Sequence, residues 1–228
     1  MDRELRQSMR RYYDARASEY EEAYVLGTGT ASIPDPEVFR REASVLAGIV
    51  ERVSRGRMLD VACGTGYWLP YYVRHCSRIT LIDQAPRMLD ECRKKVADLA
   101  VSDHISIVEG DVLEHAFDQG AYDSVLVGFL ISHLTEEQEA TLFDRLRSVL
   151  DAGGQFLIFD SAWSPERARI NTKIERQERR LRDGSRFEIY KRYLDRQDIA
   201  AWETQYGVVT RLEHFGTAFL AVSGRMRG

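Results

Sequence analysis

Short apolar runs alternate with longer stretches of helical spacing along most of this chain. Met58, Leu59, Val61 and Ala62 form the first run, which reads as a buried parallel strand. Gly64-Thr65-Gly66 supplies a tight turn after it, and Tyr67-Trp68-Leu69 begins an apolar helix whose first N–H groups face a polar or anionic ligand. Ile79–Asp83 is the second strand, followed by a helix from Pro86 to about Ala100 that carries Met88 and Leu89. H-I-S-I-V-E-G-D is the third, ending in Asp111-Val112, and Y-D-S-V-L-V-G-F the fourth. A helix from near Thr135 carries Leu142, Phe143, Leu146, Val149 and Leu150 and stops at Asp151-Ala152-Gly153-Gly154, where glycine takes the left-handed conformation. Q-F-L-I-F-D is the fifth strand. V-V-T-R-L-E-H-F and T-A-F-L-A-V, separated by Gly216, read as an antiparallel hairpin. The pattern predicts an α/β fold, a doubly wound, seven-stranded, mostly parallel sheet.

Three regions lie outside that alternation. Residues 2–24 read as a helix with Leu5, Met9, Tyr12, Tyr13 and Tyr20 at helical spacing. Gly27-Thr28-Gly29-Thr30 and Pro34/Pro36 mark a loop, either a lid hinge or a plain connector, before a helix from about Asp35 to Arg52. Ser161 to Leu194 is an insertion. Its first half reads as a charged helix ending near Asp183-Gly184, and its second half, with Phe187, Ile189, Tyr190 and Tyr193, as an exposed strand. The organisation expected is an N-terminal helical lid at 1–54, a core at 55–160, an inserted cap at 161–194, and a C-terminal helix and hairpin at 195–228 that complete the sheet.

Charge and cysteine usage narrow the classes. With 32 Lys and Arg against 36 Asp and Glu the net charge is −4, which argues against general binding to nucleic acid or a membrane surface. Residues 1–24 are charged throughout, so no signal peptide is expected, and no apolar run approaches the length of a membrane span. Cys63, Cys76 and Cys92 are odd in number and lack metal-ligand spacing; they read as reduced thiols of a cytoplasmic protein, and no metal site is expected. The partner expected is a small molecule, and the chain is expected to be a monomer or homodimer.

The glycine turn carries the chemistry. A dinucleotide fingerprint needs a third glycine where Leu69 stands, which weakens a nicotinamide or flavin reading. The order D-x-A-C-G-x-G, with an acidic residue, Asp83, ending the next strand, resembles the first motifs of class I S-adenosylmethionine-dependent methyltransferases. Ala62 stands where that family often has glycine. S-V-L-D-A-G-G-Q-F-L-I-F-D resembles its post-core signature, and Y-Y-D-A-R-A-S-E-Y-E the N-terminal helix that closes over the cofactor in small-molecule members. The resemblance implies a Rossmann-like methyltransferase fold and cofactor contacts from Tyr20, Asp60, Ala62, Gly64, Gly66, Tyr67, Trp68, Gln84, Met88 and Gly128. It implies that Asp83 accepts the ribose hydroxyls, Asp111 the adenine amino group, and that the Val112 N–H meets a ring nitrogen. From the residues alone Asp111 also reads as a loop residue or helix N-cap, and the tyrosines as a stripe docking a helix on the core.

The acceptor should lie beyond the carboxyl ends of the strands. His133, just past the fourth strand, is the candidate base; it also reads as a histidine that hydrogen-bonds the helix start at Thr135. The resemblance of the N-terminal helix implies that Tyr13, Arg16 and Tyr24 sit at the substrate mouth, with Tyr20 near the cofactor. Most arginines of the insertion read as a solvated face. R-R-L-R-D-G-S-R-F-E-I-Y-K-R-Y, with G-T-G-Y-W and the histidine after strand four, resembles the small phosphonate O-methyltransferases of antibiotic biosynthesis. That resemblance implies an anionic acceptor gripped by Arg179 or Arg180 and by Lys191. The expected function is methyl transfer from S-adenosylmethionine, leaving S-adenosylhomocysteine, to an oxygen of a small metabolite, with phosphonate- or carboxylate-like acceptors favoured. The alternatives are N-methylation of a small molecule, or cofactor binding without catalysis.

Overall fold

The computed structural model describes residues 3–26 and 35–227. The N-terminal helix is α1 (Arg3–Arg16); the expected single helix breaks into a 3-10 turn at Ala17–Glu19 and resumes as α2 (Glu22–Leu26). The Gly/Thr loop at 27–34 lies outside the described residues. Helix α3 (Pro36–Val53) starts where Asp35 accepts the Glu37 N–H and Pro36 opens the first turn. Strand β1 (Gly56–Val61) leads into the glycine turn.

The helix after that turn is much shorter than the apolar pattern predicts. It is a single turn, α4 (Leu69–Tyr72), that tightens at once into 3-10 geometry at Val73–His75. Its entry N–H groups are already committed: Gly66 N donates to Cys63 O at 2.9 Å and Leu69 N to Gly66 O at 3.0 Å. These two N–H groups therefore close the turn on itself and do not face a ligand.

The alternation then continues as β2 (Cys76–Asp83), α5 (Pro86–Asp98), β3 (Ile105–Glu109) and β4 (Tyr122–Gly128). Strand β3 stops two residues short of Asp111, which sits in the following turn. Helix α6 (Glu136–Val149) is opened by a reciprocal Thr135–Gln138 capping box. It ends directly into β5 (Leu150–Ser161) with Leu150 extended; Gly153, at φ +80, lies within that strand and does not cap the helix.

The insertion departs most from expectation. After a short α7 (Pro165–Ala168), the charged run is no helix. It is β6 (Ile174–Arg180), paired antiparallel with β7 (Arg186–Arg192) around the Asp183-Gly184 turn, where Gly184 has φ +87. Opposite charges meet across the ribbon, Arg176 with Glu188 and Arg186 with Glu178, each at 3.4 Å. Helix α8 (Arg196–Gln205) and the hairpin β8 (Val208–Phe215) and β9 (Phe219–Met226) finish the chain.

The sheet order is β3-β2-β1-β4-β5-β9-β8, parallel through β5 and antiparallel at β9 and β8. One face is covered by α3, α4 and α5 through residues such as Leu46, Val50, Leu69 and Leu89; the other by α6 and α8 through Phe143, Leu146 and Trp202. A third, smaller core forms where Leu5, Met9 and Tyr12 of α1 meet Leu181 and Ile189 of the inserted hairpin. Helix and hairpin together roof the carboxyl ends of the strands. The strand order reverses between β1 and β4, where an open α/β sheet leaves a crevice for ligands.

Candidate active site

Two cavities meet under the roof. The first, of about 710 Å³, lies over the ends of β1, β2 and β4. Ala62, Gly64, Asp83, Gln84, Met88, Asp111, Val112, Gly128, Tyr13, Tyr20 and His133 all line it. Asp83 is half-buried and accepts from Gly64 N and Ala85 N, both at 2.9 Å, one on each oxygen. Each oxygen keeps a lone pair for a further donor. Burial raises the Asp83 pKa, and these N–H bonds oppose the rise. Asp111 holds its turn by accepting from Leu113 N at 2.9 Å while also facing the cleft, so its loop role and its site position coexist.

Two cleft residues have left-handed backbones although neither is glycine: Ala62 at φ +54 ends β1, and Phe129 at φ +54 follows β4. Such a conformation costs an L-residue about 1–2 kcal/mol. The strand ends thus turn away sharply and leave the crevice open. Ala62 occupies a position whose φ suits glycine.

The second cavity, of about 600 Å³, lies between the lid, the insertion and the C-terminal hairpin. Tyr12, Tyr13, Arg16, Tyr20, Tyr24, Arg167, Arg179 and Lys191 line it, with an apolar wall from Phe39, Phe129 and Phe219. Tyr13, Tyr20, Phe129 and His133 border both cavities.

His133 is buried at this junction. Its Nδ1 is 2.8 Å from the Tyr190 carbonyl, which can only accept, so Nδ1 carries the proton. Its Nε2 is then the acceptor for the Tyr13 hydroxyl at 2.6 Å. Burial is the main force holding the His133 pKa well below 6.5, with Lys191 and Arg179 adding to it. Burial pushes the Tyr13 phenol well above 10. Both groups are neutral near pH 7, and the basic nitrogen faces the cavities. The expected bond to the helix start is absent; Thr135 is engaged by Gln138.

Lys191 is buried, donates to Ser132 Oγ at 2.6 Å and lies 3.6 Å from Asp160. Burial is the chief reason its pKa falls to about 8. Strand alternation separates the two candidate arginines. Arg179 points inward and lines the pocket, with a 2.5 Å bond to Gln177 Oε1; Arg180 points outward and is exposed.

Other residues singled out in the sequence lie behind the cavities. Asp60 is buried and accepts from the Tyr72 hydroxyl at 2.5 Å, and burial lifts its pKa to about 7. A β-carbon on Gly66 would come within 2.9 Å of Cys92 Sγ, so this glycine serves packing. Tyr67 stacks on Tyr24 with centroids 4.4 Å apart, and Trp68 packs edge-on to Phe159. All three cysteines are buried and free. Arg167, Ser161 and Phe129 were not singled out; their place depends on contacts with segments distant in the chain.

Residues 58–154 match the family model described as a methyltransferase domain. A demethylmenaquinone methyltransferase of Staphylococcus aureus (strain MRSA252) is 28% identical over 109 residues, which cover 46% of this chain; the chain spans 43% of that relative's length. Among solved structures, the DhpI–SAM–HEP complex superposes with a TM-score of 0.78 at 24% identity and 99% coverage of both chains. The glycopeptide N-methyltransferase MtfA superposes at 0.61, with 20% identity and coverage of 82% of this chain and 90% of that one. No helix among the described residues is long and apolar enough to cross a membrane. The chain thus matches a methyltransferase-domain model over residues 58–154 and shares its fold with the protein of the DhpI–SAM–HEP complex and with MtfA.

Proposed function

We propose that this protein transfers the methyl group of S-adenosylmethionine to an oxygen of a small anionic acceptor. The observation that carries the reading is the neutral His133, set with its accepting nitrogen, on the Tyr13 hydroxyl, between a carboxylate-bearing cleft and a cation-rich pocket. Asp83 suits the ribose hydroxyls, and Asp111 with Val112 the adenine edge; Met88 and Ile82 supply apolar walls. The sulfonium brings an electrophilic methyl carbon, so the protein's task is alignment and proton handling.

Four cations, Arg16, Arg167, Arg179 and Lys191, line the acceptor pocket, and no acidic side chain among the described residues does. Cations kept from water in this way are stabilised by an anion. An acceptor held by Arg179 and Lys191 brings its hydroxyl to His133 Nε2 in place of the Tyr13 hydroxyl. As the oxygen lone pair forms the new C–O bond, the C–S bond breaks with its electrons passing to sulfur. The hydroxyl proton passes to Nε2, which the low His133 pKa keeps unprotonated at neutral pH.

The test is methyl transfer to a panel of small hydroxylated acids, with product NMR to assign the methylated atom. His133→Ala should lower turnover by about 10²-fold or more while calorimetry gives an unchanged S-adenosylhomocysteine affinity. Wild-type turnover in that variant removes His133 as base. Methylation of amines alone replaces oxygen transfer with nitrogen transfer.

A further inference from the structure

Arg167 is 2% exposed, yet its charge has no close counter-ion. It lies on α7 and lines the acceptor pocket. One terminal nitrogen donates to Ala218 O at 2.8 Å, and the guanidinium carbon sits 4.4 Å over the Tyr193 ring. Its Nε has no hydrogen-bond partner among the described residues, and none of their carboxylates forms an ion pair with it. Of the other buried guanidiniums, Arg192 makes a direct ion pair with Glu139, while Arg16 lies against the Tyr12 and Tyr20 rings. Burial outweighs the support of Tyr193, Asp160 and Glu42 and lowers the Arg167 pKa, so its charge is left short of a partner.

The nearest carboxylates are engaged elsewhere. Asp160 accepts from Ser132 N at 2.9 Å and Ser161 N at 2.7 Å and faces Lys191. Glu42 accepts from the backbone of Thr217, Ala218 and Phe219 and faces His214.

Arg167 is part of a crowd of cations. Arg167 and Lys191 share the Tyr193 ring, 4.4 Å and 5.6 Å from its centroid, and after burial Arg167 and Arg179 both push the Lys191 pKa down, so the cluster holds more positive charge than one acidic group neutralises. Arg167, Ser161 and Phe219 border the acceptor cavity and not the cofactor cleft, as Arg16, Arg179 and Lys191 also do. We infer that Arg167 binds a second acidic group of the acceptor, distinct from the one held by Arg179 and Lys191, so that the preferred acceptor is a hydroxylated diacid. This rests on the anionic-acceptor reading above. A guanidinium offers a fork of donors to a carboxylate or a phosphonate alike.

The experiment uses the full chain saturated with S-adenosylhomocysteine and measures thermal unfolding with matched pairs of compounds. Each pair is a hydroxyalkyl phosphonate or hydroxy acid with and without a terminal carboxylate. The diacid of a pair should bind about tenfold more tightly, as expected for one added charged hydrogen-bonding contact. Arg167→Gln should erase that preference and leave the monoacid shift in place, and Arg167→Lys should keep part of it. Equal shifts for monoacid and diacid, or a preference that survives in Arg167→Gln, overturn the inference while leaving the anionic acceptor standing. Absence of any shift with every acid overturns both. If Arg167→Gln fails to fold, Arg167→Lys decides: an undiminished preference in it speaks against a forked contact and overturns the assignment.

Discussion

The two cavities meet at Tyr13 and His133 but are assembled from different material. The cleft is made of strand ends: its carboxylate, Asp83, is held by backbone N–H groups from turns that immediately follow β1 and β2. The acceptor pocket is made of side chains from α1, α7, β6 and β7, segments far apart in the chain, and its cations reach neutral partners such as Gln177, Ser132 and a carbonyl. A site built on backbone geometry is stiff and general. One built on long side chains is open to tuning, and here the side chains that line it carry positive charge.

Three measurements probe that contrast. Asp83→Ala should have the largest effect, weakening S-adenosylhomocysteine by about 10²-fold or more, because a charged acceptor of hydrogen bonds is lost from the cleft. An unchanged dissociation constant in calorimetry would break the assignment of the cleft. The second measurement concerns pH. Lys191, with a pKa of about 8 in the folded protein, is charged below that value and neutral above it. Acceptor affinity should therefore fall as pH rises from 7 to 9 while nucleoside affinity stays level, and Lys191→Met should flatten the acceptor curve. Parallel pH curves for the two ligands would remove the division between the cavities. The smallest effect is expected of Ala62→Gly. Relief of the left-handed backbone opposes glycine's greater freedom when unfolded, so the midpoint of thermal unfolding should rise by no more than about 1 kcal/mol allows. A clear loss of stability would show that the Ala62 methyl group contributes to packing.

Legibility in the sequence follows the same division. Asp83 and the glycine turn were readable because a strand, its terminal acid and the next turn are neighbours in the chain. The second strand of the inserted hairpin reads as a strand from its alternation, but the first reads as a helix because Ile174–Arg180 carries charge on both faces and no alternating apolar side. The informative signals there were the Asp183-Gly184 turn and opposite charges placed to meet across it. Once the segment is a strand, alternation alone distinguishes Arg179 from Arg180. Arg167 and the protonation of His133 were beyond local reading. The first depends on Ala218, 51 residues away, and the second on Tyr190, 57 residues away.

The small core shared by α1 and the inserted hairpin gives the roof an internal cohesion separate from that of the sheet. Its apolar contacts join Leu5, Met9 and Tyr12 to Leu181 and Ile189, all outside the strand-end scaffold. Divergence within such a roof can swap the molecule being modified and leave the nucleoside's seat untouched. One architecture can in this way serve many acceptors across a lineage, with novelty confined to about two short pieces of chain.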